Sequence, residues 1–261
     1  PIVLVHGSFC NRGFWISSKG HGFASYLVKQ GFDVWMMEHR GHGLSPRNHD
    51  FGKNTVERYA TADVPAVHEF IMEQTGKSPV WVGHSLGGNM IAAAVAGGTF
   101  QVNPSAMVLM GSQTVRRNWY LQIPGVGALV RLYLSTQQDV DGSRLNLGPE
   151  NEPAGVASEY IRRHSLLGKW RFADSKYLLT PGWSVANVPM LGIAGQSDTL
   201  DPPEACAKFY QSYGGPKEIV ILSKENGFSK DLGHVGMVIG REAQQEVWPK
   251  IADWLKGYAI A

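Results

Sequence analysis

Gly83-His84-Ser85-Leu86-Gly87 places one serine where it could act as a nucleophile. The residues before it, Pro79-Val80-Trp81-Val82, are apolar and partly β-branched, as in a strand. Those after it, Gly88 to Ala94, are small and rich in alanine, as in a helix. A serine on a sharp strand-to-helix turn projects its hydroxyl, but the turn tolerates almost no side chain two residues before or after it. Gly83 and Gly87 meet that demand, and Gly88 gives the helix room to approach the strand. At the start of that helix the dipole favours a developing negative charge. The pattern is short and common, and its strand–turn–helix setting gives it weight.

A serine needs a base, an acid to orient the base, and donors for an oxyanion. For this kind of turn the order along the chain is serine, then Asp or Glu, then histidine. Nine histidines compete. His6, His21, His39, His42, His49 and His68 precede Ser85 and break the order. His84 adjoins the serine, and the turn should aim it away, to line the elbow or pack. His164 comes before the last strands. His234, flanked by Gly233 and Gly236, follows the last strand and is the candidate base. Asp198 ends the run Met190-Leu191-Gly192-Ile193-Ala194-Gly195-Gln196-Ser197 and is the candidate acid. Asp201 is its rival and, ahead of Pro202-Pro203, a candidate helix N-cap. Asp231 lies too near His234 in sequence. One oxyanion donor is expected from the Leu86 amide. The other should come from the loop His6-Gly7-Ser8-Phe9, with Ser8 first choice and Phe9 the alternative. Phe9 and His84 are also expected at the substrate.

Strands must carry these residues to one place. Ile2–Val5, Phe32–Met37, Val80–Val82, Ala106–Met110, Met190–Ile193 and Glu218–Leu222 read as buried parallel strands. Helical spacing separates them: Phe23, Leu27 and Val28, then Ala60, Val64, Val67, His68 and Ile71, then Met90 to Val95. Val247, Ile251, Trp254 and Leu255 form a last stripe, which Pro249 should kink or divide. The alternation predicts an α/β fold, a doubly wound and mostly parallel sheet. From Thr114 to Asn187 no strand is evident, and about 70 residues is too long for a loop. This predicts a core of residues 1–113 and 188–261 and a helical cap insertion of residues 114–187. Most of the insertion's aromatics are expected to pack a small core of their own.

Composition sets outer limits. The 261 residues fit one large domain, with or without an insertion. No apolar run is long enough for a membrane span. The net charge of +2 is scattered, with no basic tract for nucleic acid. Arg116-Arg117 and Arg162-Arg163 read as solvated pairs. Two distant cysteines, Cys10 and Cys206, fit a reducing compartment, and the cytoplasm is the expected location. Because the chain opens on Pro1, the lack of a signal peptide carries no weight.

Several segments together resemble the α/β-hydrolase family, in its serine esterase and lipase branch. They are Val5-His6-Gly7 with Trp15 downstream, Arg40-Gly41-His42-Gly43-Leu44-Ser45, the Gly83–Gly88 elbow, Gly195–Asp198 followed by Pro202, and Gly233-His234. The resemblance implies an eight-stranded sheet with a cap after its sixth strand, and a triad of Ser85, Asp198 and His234. The chain opens on what corresponds to the family's third strand. The His-Gly-Gly-Gly sequence of one lipase branch is absent, and His6-Gly7-Ser8 resembles the other. The expected activity is hydrolysis of a small-molecule carboxylic ester through an acyl-enzyme, without a cofactor. Thioester hydrolysis, acyl transfer and C–C cleavage would use the same triad, and a non-catalytic binder could keep the fold. A serine at the elbow argues against dehalogenase or epoxide hydrolase chemistry, for which the family places Asp there. His39, His42 and His49 could suggest a metal, but the Arg40–Ser45 match implies a structural turn. No Cys or carboxylate cluster nearby completes a ligand set. Acyl chain length and oligomeric state leave no mark on the sequence.

Overall fold

A single parallel sheet organises the chain, which is described for residues 1–259 by a computed structural model. Its strands are β1 (Ile2–Val5), β2 (Val34–Met37), β3 (Val80–His84), β4 (Ala106–Met110), β7 (Met190–Gly195) and β8 (Lys217–Leu222), in the order β2-β1-β3-β4-β7-β8. A separate antiparallel pair, β5 (Asp139–Val140) and β6 (Glu152–Pro153), lies between β4 and β7 in the chain. The six strands of the main sheet fall where the apolar runs predict them. They are two fewer than the family resemblance implies, and β1, the first, is an interior strand paired with β2 and β3.

These runs are apolar at consecutive positions because both faces of the sheet are covered. Val3, Val5, Trp81, Met107, Leu109, Met190 and Ala194 face one core, with α3 (Val64–Thr75), α4 (Leu86–Gly97) and α8 (Pro203–Gln211). Ile2, Leu4, Val80, Val82, Val108, Leu191 and Ile193 face the other, with α1 (Phe23–Lys29) and α9 (Trp248–Ala259). The chain leaves β1 toward β2, then crosses back to β3 on the other side. The gap between β1 and β3 is therefore the switch point, outside whose carboxyl end ligands bind in such sheets.

Two prolines shape helices without breaking them. Pro249 is the second residue of α9, and a five-residue π turn, Ala243–Val247, runs directly into it. Pro65 stands likewise at the second residue of α3. It follows α2 (Val56–Arg58) and a π turn, Tyr59–Asp63. A proline has no amide for the i−4 carbonyl, and widening the preceding turn takes up the mismatch. The predicted kink at Pro249 is thus a π turn.

Between β4 and β7 lie α5 (Val126–Leu134), the β5–β6 pair, α6 (Ala154–His164) and α7 (Leu179–Val185). The aromatics here do not form a small core of their own. Trp170, Phe172, Leu179 and Trp183 join the core of the main sheet, whereas Trp119 and Tyr133 are exposed. The reason is the approach of α7 to α4: a Cβ on Gly182 would lie 1.9 Å from the Ala96 carbonyl oxygen. That contact brings Trp183 onto Phe209, with ring centroids 4.8 Å apart and planes 2° from parallel. Its Nε1 donates to the Phe209 carbonyl at 3.2 Å. No helix among the described residues is long and apolar enough to cross a membrane. Because Trp183 packs in the core of the main sheet, Trp183→Ala should destabilise the whole protein by about 3–5 kcal/mol. Urea unfolding should show one transition at lower denaturant; an early transition confined to the segment between β4 and β7 would contradict the shared core.

Candidate active site

Ser85 stands between β3 and α4 with φ 53° and ψ −116°, a backbone conformation rare outside glycine. Crowding explains it. A Cβ on Gly83 would meet the Gly88 nitrogen at 2.5 Å, and one on Gly87 the Val5 carbonyl oxygen at 2.3 Å. The helix thus sits directly on the strands, and the chain has room only for a sharp turn. The Ser85 amide donates to the Met110 carbonyl at 2.8 Å. The Ser112 hydroxyl donates to the Ser85 carbonyl at 3.0 Å.

Asp198 and His234 meet from two loops on the same sheet edge. His234 Nδ1 lies 2.6 Å from Asp198 Oδ2. The other carboxylate oxygen accepts from the amides of Leu200 and Asp201, both at 2.9 Å. Asp198 is buried, and its geometry is fixed on both oxygens. Burial lowers the affinity of His234 for a proton. The hydrogen bond and charge of Asp198, with the charge of Asp201, outweigh it, so the pKa lies above the ordinary 6.5. Gly111 makes the room: its Cβ would lie 3.2 Å from His234 Nδ1 and 3.3 Å from Asp198 Oδ2.

The loop after β1 closes against the elbow. A Cβ on Gly7 would be 3.1 Å from Ser85 Cβ, so the backbone of residues 7–8 runs beside the serine. Leu86 opens α4, and the first amides of a helix have no intrahelical acceptor. The Phe9 amide is taken, since it donates to Glu152 Oε2 at 2.9 Å. That engagement weighs against Phe9 as an oxyanion donor. A cavity of about 440 Å³ opens here, lined by Ser8, Phe9, His84, Ser85, Leu86 and His234 on the sheet side. Val130, Leu134, Val156, Tyr160 and Ile161, from α5 and α6, line the facing side.

Other expectations need correction. Asp201 does not cap α8, whose N-cap position is Pro202. Its buried carboxylate accepts from Gln113 Nε2 at 2.6 Å and reaches the cavity wall. Arg162-Arg163 is not a solvated pair: Arg163 is buried and lines the cavity. His84 reaches the cavity, but its Nε2 lies 2.9 Å from the His234 carbonyl, and its ring stacks on Phe14. Burial, with the nearby His234, lowers its pKa to about 3, so it stays neutral. A carboxylate does join the histidines of the loop after β2: His39, His42 and Glu152 are buried together.

The model of the α/β hydrolase fold matches residues 1–138, over half of the chain. The chain belongs to the α/β-hydrolase fold family. Among curated relatives, it is 32% identical over 111 residues to the tear acid lipase-like protein of Mesocricetus auratus, covering 39% of this chain and 27% of that one. It is 33% identical over 115 residues to human gastric triacylglycerol lipase, covering 40% and 28%. The match thus spans little more than a quarter of these relatives' length. The fold resembles a monoacylglycerol lipase from Paleococcus ferrophilus at TM-score 0.64 and 17% identity, covering 98% of this chain and 94% of that one. It also resembles an esterase from Thermogutta terrifontis at TM-score 0.64 and 19% identity, covering 99% and 90%.

Within this α/β-hydrolase, sequence reasoning missed Gly111, Phe14 and Glu152. Gly111 had a visible signal, a glycine ending a buried strand level with the elbow. Phe14 and Glu152 had none, because their partners are distant in sequence. Since the folded pKa of His234 is raised, the stabilisation it contributes is full below pH 6.5 and is lost as pH rises through the folded value. Asp198→Asn should lower the His234 pKa and shrink that dependence. An NMR titration of the His234 Cε1 proton reads the first effect, and urea melts at pH 6 and pH 9 the second; an unmoved midpoint would show that Asp198 does not set the imidazole.

Proposed function

We propose that this chain is a serine hydrolase of carboxylic esters. One observation carries the reading: the strained Ser85 and His234, the latter bonded to Asp198, border one largely apolar cavity at the sheet's switch point. Ser85 Oγ attacks the ester carbonyl while His234 Nε2 takes its proton. Asp198, bonded to Nδ1, fixes the tautomer and supports the imidazolium. The amides of Leu86 and Ser8 receive the oxyanion. His234 then protonates the leaving alcohol, and water attacks the acyl-enzyme with His234 again as base. Residues 114–187 act as a cap whose α5 and α6 side chains receive the apolar part of the substrate. Phe9 meets it from the opposite, sheet side, and His84 holds the His234 loop through its carbonyl. The relatives named as lipases support an ester over another acyl bond.

Aryl esters of graded acyl length test this directly. Ser85→Ala should lower kcat/KM by about 10⁴-fold or more and lose covalent labelling by a fluorophosphonate. Because the base works only when neutral and its pKa is raised, kcat/KM should rise with pH to a midpoint above 6.5. Equal rates in wild type and Ser85→Ala would refute the nucleophile. Acyl-CoA turnover far above ester turnover would refute the ester.

A further inference from the structure

Both ring nitrogens of His39, Nε2 of His42, Oε1 of Glu152 and the hydroxyl of Tyr59 are buried without a hydrogen-bond partner among the described residues. His39 and His42 are 0% exposed and Glu152 2%. Leaving a buried polar group unpaired is costly, so several together call for a common partner. One ligand atom from each of His39, His42 and Glu152 lies within 4.8 Å of the others. His42 Nε2 and Glu152 Oε2 are 3.7 Å apart. We propose that His39, His42 and Glu152 bind one divalent transition-metal ion of the zinc class.

The donor set suits such an ion. Zinc takes imidazole nitrogen and carboxylate oxygen at about 2.0–2.2 Å, in a tetrahedron. Two atoms 3.7 Å apart can both reach one ion at that distance. The third, His39, offers a ligand atom within 4.8 Å of both, and no hydrogen bond among the described residues holds either of its ring nitrogens. Groups behind the ligands are already placed. His42 Nδ1 faces the Arg40 carbonyl at 3.4 Å, the tautomer that leaves the Nε2 lone pair free. The Phe9 amide donates to Glu152 Oε2 at 2.9 Å, which orients the carboxylate and leaves that oxygen a second lone pair for the ion. His39 and His42 follow β2, whereas Glu152 lies on β6 in the segment between β4 and β7. The ion would therefore clamp that segment to the loops of the main sheet. None of its ligands takes a step in the acyl chemistry proposed above, and the site stands or falls separately.

The test uses the full-length protein incubated with zinc and then desalted. Elemental analysis should find about one zinc per chain, and EDTA should lower the melting temperature. Cobalt substitution should give the intense visible bands of a tetrahedral site. His42→Gln and Glu152→Gln should each weaken binding at least tenfold, whereas His21→Ala, at an exposed histidine, should leave it unchanged. No retained zinc and no cobalt bands in wild type would overturn the site, leaving His42 and Glu152 as a buried ion pair. Wild-type affinity in a folded Glu152→Gln would overturn it as well. Should both variants fail to fold, stoichiometry and the cobalt spectrum of wild type still decide.

Discussion

The N-terminus of α4 is pressed so closely onto β1, β3 and Ser112, just past β4, that side chains are excluded at Gly83, Gly87 and Gly88. Much of the site follows from that contact. With no lateral room, the chain must reverse at Ser85 in a conformation that costs of order 1–3 kcal/mol for a residue with a side chain. Packing of Met90, Ile91 and the alanines of α4 into the sheet core holds the turn in place. Anchors on β4 oppose its relaxation from the other side, through Met110 and Ser112. A serine hydroxyl raised at a helix N-terminus is what remains.

The same closeness governs the partners. Parallel strands all end at one edge, so the loops after β1, β3, β4, β7 and β8 share a small space. Each must keep its backbone thin where it passes another. Gly7 does so beside Ser85, Gly111 beside the Asp198–His234 pair, and Gly195 beside the Leu232 carbonyl, which its Cβ would approach to 2.4 Å. The position of His234 therefore depends on backbone contacts as well as on Asp198. His84, kept neutral by burial, contributes by donating its Nε2–H to the His234 carbonyl and stacking on the Phe14 ring.

Legibility in the sequence tracked the range of the interactions. The strands could be read because each is a short run of Val, Ile, Leu and Met buried on both faces. The elbow could be read because its glycines are local requirements. Chain order pointed to Asp198 and His234, which the structure brings within 2.6 Å. The stretch between β4 and β7 was opaque for the opposite reason. An apolar residue there announces burial but not which core it joins, so Trp183 looked like a member of a small local cluster. Arg163 looked solvated because nothing in its neighbours tells of the cavity it lines. Glu152 stood in a Gly/Pro/Asn-rich tract with no sign of the histidines more than 100 residues earlier.

These long-range contacts also bear on how substrate choice and chemistry are connected. The sheet side of the cavity carries the groups of the proposed reaction, and α5 and α6 face them with Val130, Leu134, Val156 and Ile161. The two sides are not independent. Phe9, at φ 59°, donates its amide to Glu152 and accepts from the Glu150 amide at 3.1 Å. Both partners belong to the stretch between β4 and β7. Any displacement of that stretch pulls on Phe9 and so on Ser8, the adjacent residue proposed to hold the oxyanion. A wider pocket obtained by shifting α5 or α6 would thus loosen the oxyanion site unless the Phe9–Glu152 link stayed in register. Changes confined to side chains such as Val130 or Val156 avoid that penalty, because they reshape the wall without moving the backbone that carries the link.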